Sequence, residues 1–154
     1  NQMEQTGDLY DRLMSKVKPV IQGQTLASVS FVWMQGERDA KMGWGDLYEE
    51  ALVGLHAQLA KDLQRNPQKM TFVIGRLSDF DMSSKKYPHW KKVRLAQIKV
   101  ANSNPKYFWV DTDDLNDGLN RKGKQITNDL HYSAEGYKIL GKRFAQACLI
   151  AIGK

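Results

Sequence analysis

The sequence predicts an α/β domain in which helices cover both faces of a parallel sheet. Three apolar segments, each of strand length, alternate with segments that repeat apolar residues at helical spacing. Strands that are apolar throughout suit a sheet buried on both faces, and strands separated by helices pair in parallel. The chain has 154 residues, 42% of them hydrophobic, which is enough for one domain with its own core.

Local sequence patterns predict where each helix and strand begins and ends. In the segment 46–66, apolar residues recur at the spacing of an amphipathic helix. Asp46 is the predicted N-cap of this helix, and the pair Asn66 and Pro67 is its predicted stop. The first helix is predicted to close near Pro19. The predicted helices cover 8–21, 46–66, 88–101 and 133–152, and the predicted strands cover 29–34, 70–77 and 107–111.

Polar residues stand where a site is expected in such a fold. Ligands of open parallel sheets bind beyond the carboxyl ends of the strands. Gln35, Gly36 and Glu37 directly follow the first strand and are candidates for this position, the alternative being a polar turn that only caps the next element. The segment 112–130, rich in Asp, Asn and Gly, is the longest predicted loop, and a loop of this length is typically functional or mobile.

His131 is the strongest candidate for proton transfer. It stands just before a helix that opens with Ser133, and Asp129 precedes it by two residues. An imidazole on a loop at a helix start, with an acid nearby, suits a general base. His56 and His89 have no acid next to them in sequence and are predicted to be structural or surface residues.

Composition leaves few other classes of function open. The net charge of +6 allows a basic nucleic-acid binder as the weakest alternative. Most of the lysines between 85 and 94 are predicted on the solvated face of a helix, so no nucleic-acid partner is predicted. The opposite face carries Trp90, Val93, Gln97 and Val100.

No cofactor is predicted. Three scattered histidines and one cysteine show no metal-ligand spacing, and no glycine-rich phosphate loop is present. No apolar run approaches the ~20 residues that cross a bilayer, so no membrane partner is predicted either. Cys148 lies in an apolar helical run and is predicted to be a buried small hydrophobe.

Three segments, in order, carry a resemblance to a known family: 33-WMQGERDA-40, 90-WKKVRLAQ-97 and 128-NDLHYSAEGYKILGKRFA-145. Together they resemble the carbohydrate-esterase branch of the SGNH hydrolases, which includes sialate O-acetylesterase-like and acetylxylan-esterase-like proteins. Members share a W-x-Q-G-E block after a central strand and a D-x-x-H block before the last helix. The resemblance extends from about Ala27 to the end of the chain.

The resemblance implies a serine esterase with a flavodoxin-like, three-layer α/β/α fold that removes acetyl groups from sugars. It implies that His131 is the general base, which activates the serine and later protonates the leaving alkoxide. Gln35 and Gly36 would line the oxyanion side, and Glu37 would shape the site. The resemblance also suggests a secreted or periplasmic location.

The first departure from the family pattern concerns the nucleophile. No G-x-S block is found, and the nearest match, 23-GQT-25, has Thr in place of Ser. Residues 1–154 are therefore expected to be the C-terminal portion of an SGNH hydrolase domain. The nucleophilic Ser is expected upstream of residue 1, on an N-terminal segment of the same protein that pairs with this chain.

The second departure is Asn128, which stands three residues before His131, where the family usually has Asp. An amide lacks the charge that stabilises imidazolium, and such a swap in a serine protease costs about 10^4 in turnover. Either Asp129 serves as the orienting acid, or Asn128 inactivates the site. The leading hypothesis is a carbohydrate O-acetylesterase, and the alternative is a non-catalytic carbohydrate-binding relative.

Overall fold

A parallel sheet of three strands forms the centre of the molecule. The structure, a computed structural model, describes residues 7–153. The strands of the sheet pair in the order β1–β2–β3, and both pairings are parallel. The strands are β1 (Ser30–Trp33), β2 (Thr71–Gly75) and β3 (Tyr107–Val110), with a separate hairpin of β4 (Gly118–Leu119) and β5 (Gln125–Ile126). The helices are α1 (Asp8–Ile21), α2 (Glu37–Met42), α3 (Gly45–Asp62), α4 (Trp90–Ala101) and α5 (Ala134–Ala151).

Alternate side chains of β2 pack into two different hydrophobic clusters. Phe72 and Ile74 pack with residues of α3 and α4, whereas Val73 packs with residues of α5. Because successive side chains of a strand lie on opposite faces of a sheet, α3 and α4 cover one face and α5 covers the other. The predicted flavodoxin-like, three-layer α/β/α architecture with a parallel sheet is confirmed.

The two neighbouring strands β1 and β2 differ in burial. Every residue of β2 is buried, as expected for a central strand, whereas β1 alternates between exposed and half-buried residues. Val32 of β1 is 41% exposed. Within residues 7–153, β1 pairs only with β2, so its other edge presents backbone groups without a neighbouring strand.

Two elements of the structure are not predicted by the sequence patterns. Helix α2 begins at Glu37, directly after the first strand, and is too short to show helical periodicity. The segment 112–130 contains the hairpin β4–β5, whose strands are likewise too short to alternate. The predicted N-cap is also wrong, because α3 begins at Gly45 and Asp46 lies within its first turn.

The lysines of helix α4 lie on its solvated face and its predicted apolar stripe is buried, but one basic residue of the helix is buried as well. Lys91 and Lys92 are exposed, but Arg94 is buried in an ion-pair cluster described below. Cys148 is half-buried rather than buried, because it packs at the margin of the cluster beneath α5. The buried stripe of α4 includes Trp90, Val93, Gln97 and Val100.

Candidate active site

His131 and Asp129 lie together on the loop that leads into α5. The backbone N–H of His131 donates to Oδ1 of Asp129 at 2.9 Å, and the Nδ1 atom of the ring lies 3.7 Å from the same oxygen. The imidazole is 73% exposed. The structure therefore brings together the predicted base and the predicted orienting acid.

A cavity of about 800 Å³ opens beside this pair. Its walls come from three places: the loop with His131, the first turn of α5 and the turn of the β4–β5 hairpin. This volume is in the range of small-molecule sites. The lining includes Arg121, Lys122, Asp129, His131, Tyr132 and Tyr137.

Backbone hydrogen bonds fix the loop on both sides of His131. The N–H of Asp129 donates to the carbonyl of Asn116 at 3.2 Å, and the N–H of Ser133 donates to the carbonyl of Leu115 at 2.9 Å. Ser133 then caps α5, since its Oγ accepts from the N–H of Gly136 at 3.0 Å. The helix start predicted at Ser133 is confirmed, and it holds His131 against residues 115–116.

Asn128 faces a different set of partners from Asp129. Its backbone has a φ of +45°, a left-handed conformation that Asn tolerates better than most residues. Its Oδ1 accepts from the side-chain amide of Asn116 at 3.4 Å, and that amide also lies 3.4 Å from Oδ1 of Asp79. The contact with the His131 ring is made by Asp129.

Gln35, which follows β1, forms hydrogen bonds with residues of α2, α3 and α4. The carbonyl of Gln35 accepts from the hydroxyl of Tyr48 at 2.5 Å and from Nε2 of Gln97 at 3.0 Å. The side-chain amide of Gln35 donates to Asp39 at 2.6 Å. Burial raises the pKa of Tyr48 to about 12, which keeps its hydroxyl protonated as a donor.

Gly36 is required by the close approach of α4. A Cβ at this position would lie 2.7 Å from Cγ1 of Val93, and the φ of +155° also disfavours other residues. The N–H of Gly36 donates to Oε2 of Glu37 at 3.0 Å. In this structure, therefore, the Gly36 N–H, which the resemblance assigns to the oxyanion side, is already hydrogen-bonded to the carboxylate of Glu37.

The two candidate blocks do not share one cavity. Gln35 lines a separate cavity of about 180 Å³ beside α3, and neither Gly36 nor Glu37 lines that cavity or the one at His131. Tyr132 connects the blocks, since its hydroxyl donates to Sδ of Met34 at 3.8 Å. The pKa of Tyr132 is raised, chiefly by burial and further by the negative charge of Glu37.

An ion-pair cluster, which the sequence patterns do not predict, lies next to the carboxyl ends of β2 and β3. Arg94 donates to both carboxylate oxygens of Asp113, at 2.7 and 3.0 Å, and Arg76 donates to one of them at 2.7 Å. Burial opposes ionisation of Asp113, but the bonds and charges of Arg94 and Arg76 outweigh it and hold the pKa of Asp113 below its usual value. The cluster anchors the start of the segment 112–130.

The sequence carries one weak signal for this cluster. Arg76 lies near the end of the segment 70–77, which is predicted as a buried strand, and a buried charge needs a partner. The partner stands 37 residues away, so the pairing cannot be read from neighbouring residues.

Two kinds of feature are not found among residues 7–153. No group of three or more His, Cys, Asp or Glu side chains is placed so that it could hold a metal ion. None of the helices in this part of the chain is long and apolar enough to cross a membrane.

A comparison with protein families decides the affiliation of the chain. The sequence model of a family described as carbohydrate esterase, sialic acid-specific acetylesterase, matches residues 1–150. The chain belongs to this family. The matched range includes the block after β1 and the block around His131, so the resemblance on which the predicted roles rest is confirmed at family level. A search of curated proteins finds no match to the chain.

Membership of the sialic acid-specific acetylesterase family agrees with the architecture. The mixed α/β fold with a parallel sheet is that expected of an esterase domain, and the family is one of carbohydrate esterases. At this level, the class of activity is a hydrolase that acts on acetylated carbohydrates.

Proposed function

We propose that the chain carries the general base of a serine-type carbohydrate O-acetylesterase. The observation that carries the proposal is the pair His131 and Asp129, which lines a cavity of about 800 Å³, in a chain of a carbohydrate esterase family. An acetylated sugar is the proposed substrate. The reaction is transfer of the acetyl group to a serine, followed by its hydrolysis.

His131 moves the proton in both steps. Its exposed ring nitrogen takes the proton of the serine hydroxyl as the oxygen attacks the acetyl carbonyl, and then gives it to the departing sugar alkoxide. In the second step it activates water in the same way. Asp129, 3.7 Å from Nδ1, orients the ring and stabilises the imidazolium by its negative charge.

Gln35 and Gly36 are proposed to face the oxyanion, and Glu37 to shape the site. Their position beyond the carboxyl end of β1 supports this role. The Gly36 N–H donates to Glu37 in this structure, so the carboxylate of Glu37 has to turn away before that donor can reach an oxyanion. Donors aimed at the developing charge typically contribute about 3 to 4 kcal/mol to such reactions.

The nucleophile is proposed to come from an N-terminal segment of the same protein that pairs with the free edge of β1. Ser133, the serine nearest to His131 in sequence, is unsuited to attack because it is buried and its hydroxyl caps α5. A strand added to β1 in parallel, as β2 is, would have its carboxyl end beside Gln35, so that a serine at that end would face the site.

The experiment is His131→Ala in the protein that includes the nucleophile segment. Hydrolysis of p-nitrophenyl acetate and of O-acetylated sugars is expected to be lost, while the melting temperature stays unchanged because the side chain is exposed. Thr127→Ala, an exposed position on the same loop, is the matched control and should keep activity. A loss of only a few-fold with His131→Ala would remove this residue from the mechanism.

One observation favours a second candidate, a non-catalytic carbohydrate-binding relative. Asn128 replaces the acid of the D-x-x-H block, and its side chain contacts Asn116 instead of the imidazole. This candidate predicts that sugars bind without ester hydrolysis. Turnover of p-nitrophenyl acetate that depends on His131 would exclude it.

A further inference from the structure

The turn of the β4–β5 hairpin is a rigid wall of the cavity at His131. Oδ1 of Asn120 accepts from the N–H groups of Lys122 and Lys124, at 2.9 and 3.0 Å. The backbone of Asn120 adds two bonds, from its N–H to the carbonyl of Lys124 and from the N–H of Gly123 to its carbonyl, both 2.9 Å. One side chain therefore organises the whole turn, as in an Asx-type motif.

This turn presents two cations to the cavity. Arg121 and Lys122 both line it and are exposed. Among residues 7–153, neither forms a salt bridge or a side-chain hydrogen bond, so their donors are available to a ligand. Lys124 lies on the same turn but does not line the cavity.

An aromatic side chain completes the lining. Tyr137, in the first turn of α5, is 51% exposed and lines the cavity. Its ring packs edge-on against Tyr132, with the ring centroids 5.4 Å apart, and Tyr132 is buried. The contact holds the ring of Tyr137 in place, so this residue offers a flat apolar surface beside His131 at little further cost in side-chain entropy.

We propose that Tyr137, Arg121 and Lys122 form a sugar-binding subsite for the non-reacting part of the substrate. The inference rests on the proposed function and adds the residues that recognise the sugar. The apolar face of a pyranose ring packs on Tyr137, and the hydroxyl or carboxylate oxygens of the sugar accept from Arg121 and Lys122. The acetyl ester is then held toward His131, since all four residues line one cavity.

The test is a binding titration that does not depend on turnover. N-acetylneuraminic acid is added to the protein, and the dissociation constant is measured from NMR chemical shifts for wild type and variants. Tyr137→Ala is expected to weaken binding about tenfold, whereas Tyr137→Phe, which keeps the ring, stays within about twofold. Arg121→Ala combined with Lys122→Ala is expected to weaken binding about tenfold, and Lys124→Ala is the matched control.

The outcomes separate this subsite from the proposed function. Equal affinities of wild type and Tyr137→Ala, or equal losses with Lys124→Ala and with the Arg121 and Lys122 variant, would overturn the subsite. No binding by wild type would overturn it too, while His131-dependent hydrolysis of p-nitrophenyl acetate would still support the esterase. Binding with the predicted pattern but no hydrolysis of any acetyl ester would leave the subsite standing and refute the esterase.

Discussion

Asn128 and Asp129 are the two candidates for the residue that orients the His131 ring, and they have different neighbours in the structure. The carboxylate of Asp129 lies next to the imidazole and also accepts a hydrogen bond from the backbone N–H of His131. Asp129 therefore fixes the conformation of the loop and places a negative charge beside the ring. Asn128 adopts a left-handed backbone and turns toward Asn116. We propose that the charge that stabilises an imidazolium comes from Asp129, one residue later than the Asp of the family block.

Asp129→Asn is expected to lower esterase activity far more than Asn128→Ala. Only the former removes a negative charge near the ring, and the comparable change in a serine protease costs about 10^4 in turnover. Values of kcat with p-nitrophenyl acetate, measured for both variants in the protein that includes the nucleophile segment, test this. A strong gain of activity with Asn128→Asp would show that the family position is the true one and that Asp129 is misassigned.

His56 makes the stability of the protein depend on pH. It is 2% exposed, stacks on Phe72 at 4.6 Å between ring centroids, and has its Nδ1 3.2 Å from the hydroxyl of Tyr107. Burial lowers the pKa of His56 to about 4, because it disfavours the charged ring. The folded state thus binds fewer protons than the unfolded state between pH 6.5 and 4.

Stability from this residue is fully present above about pH 6.5 and is lost as the pH falls toward 4. Between pH 7.5 and 4.5 the loss is expected to be about 2 to 3 kcal/mol. The difference in unfolding free energy between wild type and His56→Phe, measured by urea denaturation across this range, isolates it from other groups. A difference that stays constant with pH would contradict the prediction.

At the scale of elements, the first turn of α5 is pressed against the segment that precedes the hairpin. A Cβ at Gly136 would lie 2.2 Å from the carbonyl oxygen of Leu115, the atom that accepts the N–H of Ser133. This contact joins the helix to the loop that positions His131. Backbone cannot yield as the end of a flexible side chain can, so only glycine fits.

Gly136→Ala is expected to lower the unfolding free energy by about 1 to 3 kcal/mol. Gly141→Ala, on the same helix but with no atom within 4 Å of the new Cβ other than the nearby backbone of the helix itself, is the matched control and should raise it by up to about 1 kcal/mol. Chemical denaturation of both variants provides the comparison. Equal effects of the two substitutions would show that the contact with Leu115 is not tight.

At the scale of the whole molecule, the outer edge of β1 pairs with no other strand among residues 7–153. The half-exposed, apolar β1 is a template for another strand. We expect the chain to be folded and monomeric only when a further strand, from the segment proposed to carry the nucleophile, occupies this edge. Intact mass spectrometry of a purified monomeric sample, with circular dichroism to establish folding, checks this. A folded monomer with the mass of this chain alone would contradict it.

Much of the fold follows from local pattern, and the candidate site follows only in part. Phe72, Val73 and Ile74 form an apolar run of strand length that is rich in β-branched and aromatic residues, as expected of a strand buried on both faces, so β2 is readable from sequence. The helix start at Ser133 is readable for the same local reason, since an N-cap hydroxyl acts within one turn. His131 was found because it stands beside that signal.

Contacts between residues far apart in the chain cannot be read from local pattern. The pairing of Arg76 and Arg94 with Asp113, and the separation of Gln35 from the cavity of His131, depend on how strands and helices pack. Periodicity reports the environment of a side chain but not the identity of its distant neighbour. The sequence patterns therefore predict the layers and the candidate base. Packing places Asp129, rather than Asn128, beside the ring of that base and brings Arg121, Lys122 and Tyr137 into the lining of the same cavity.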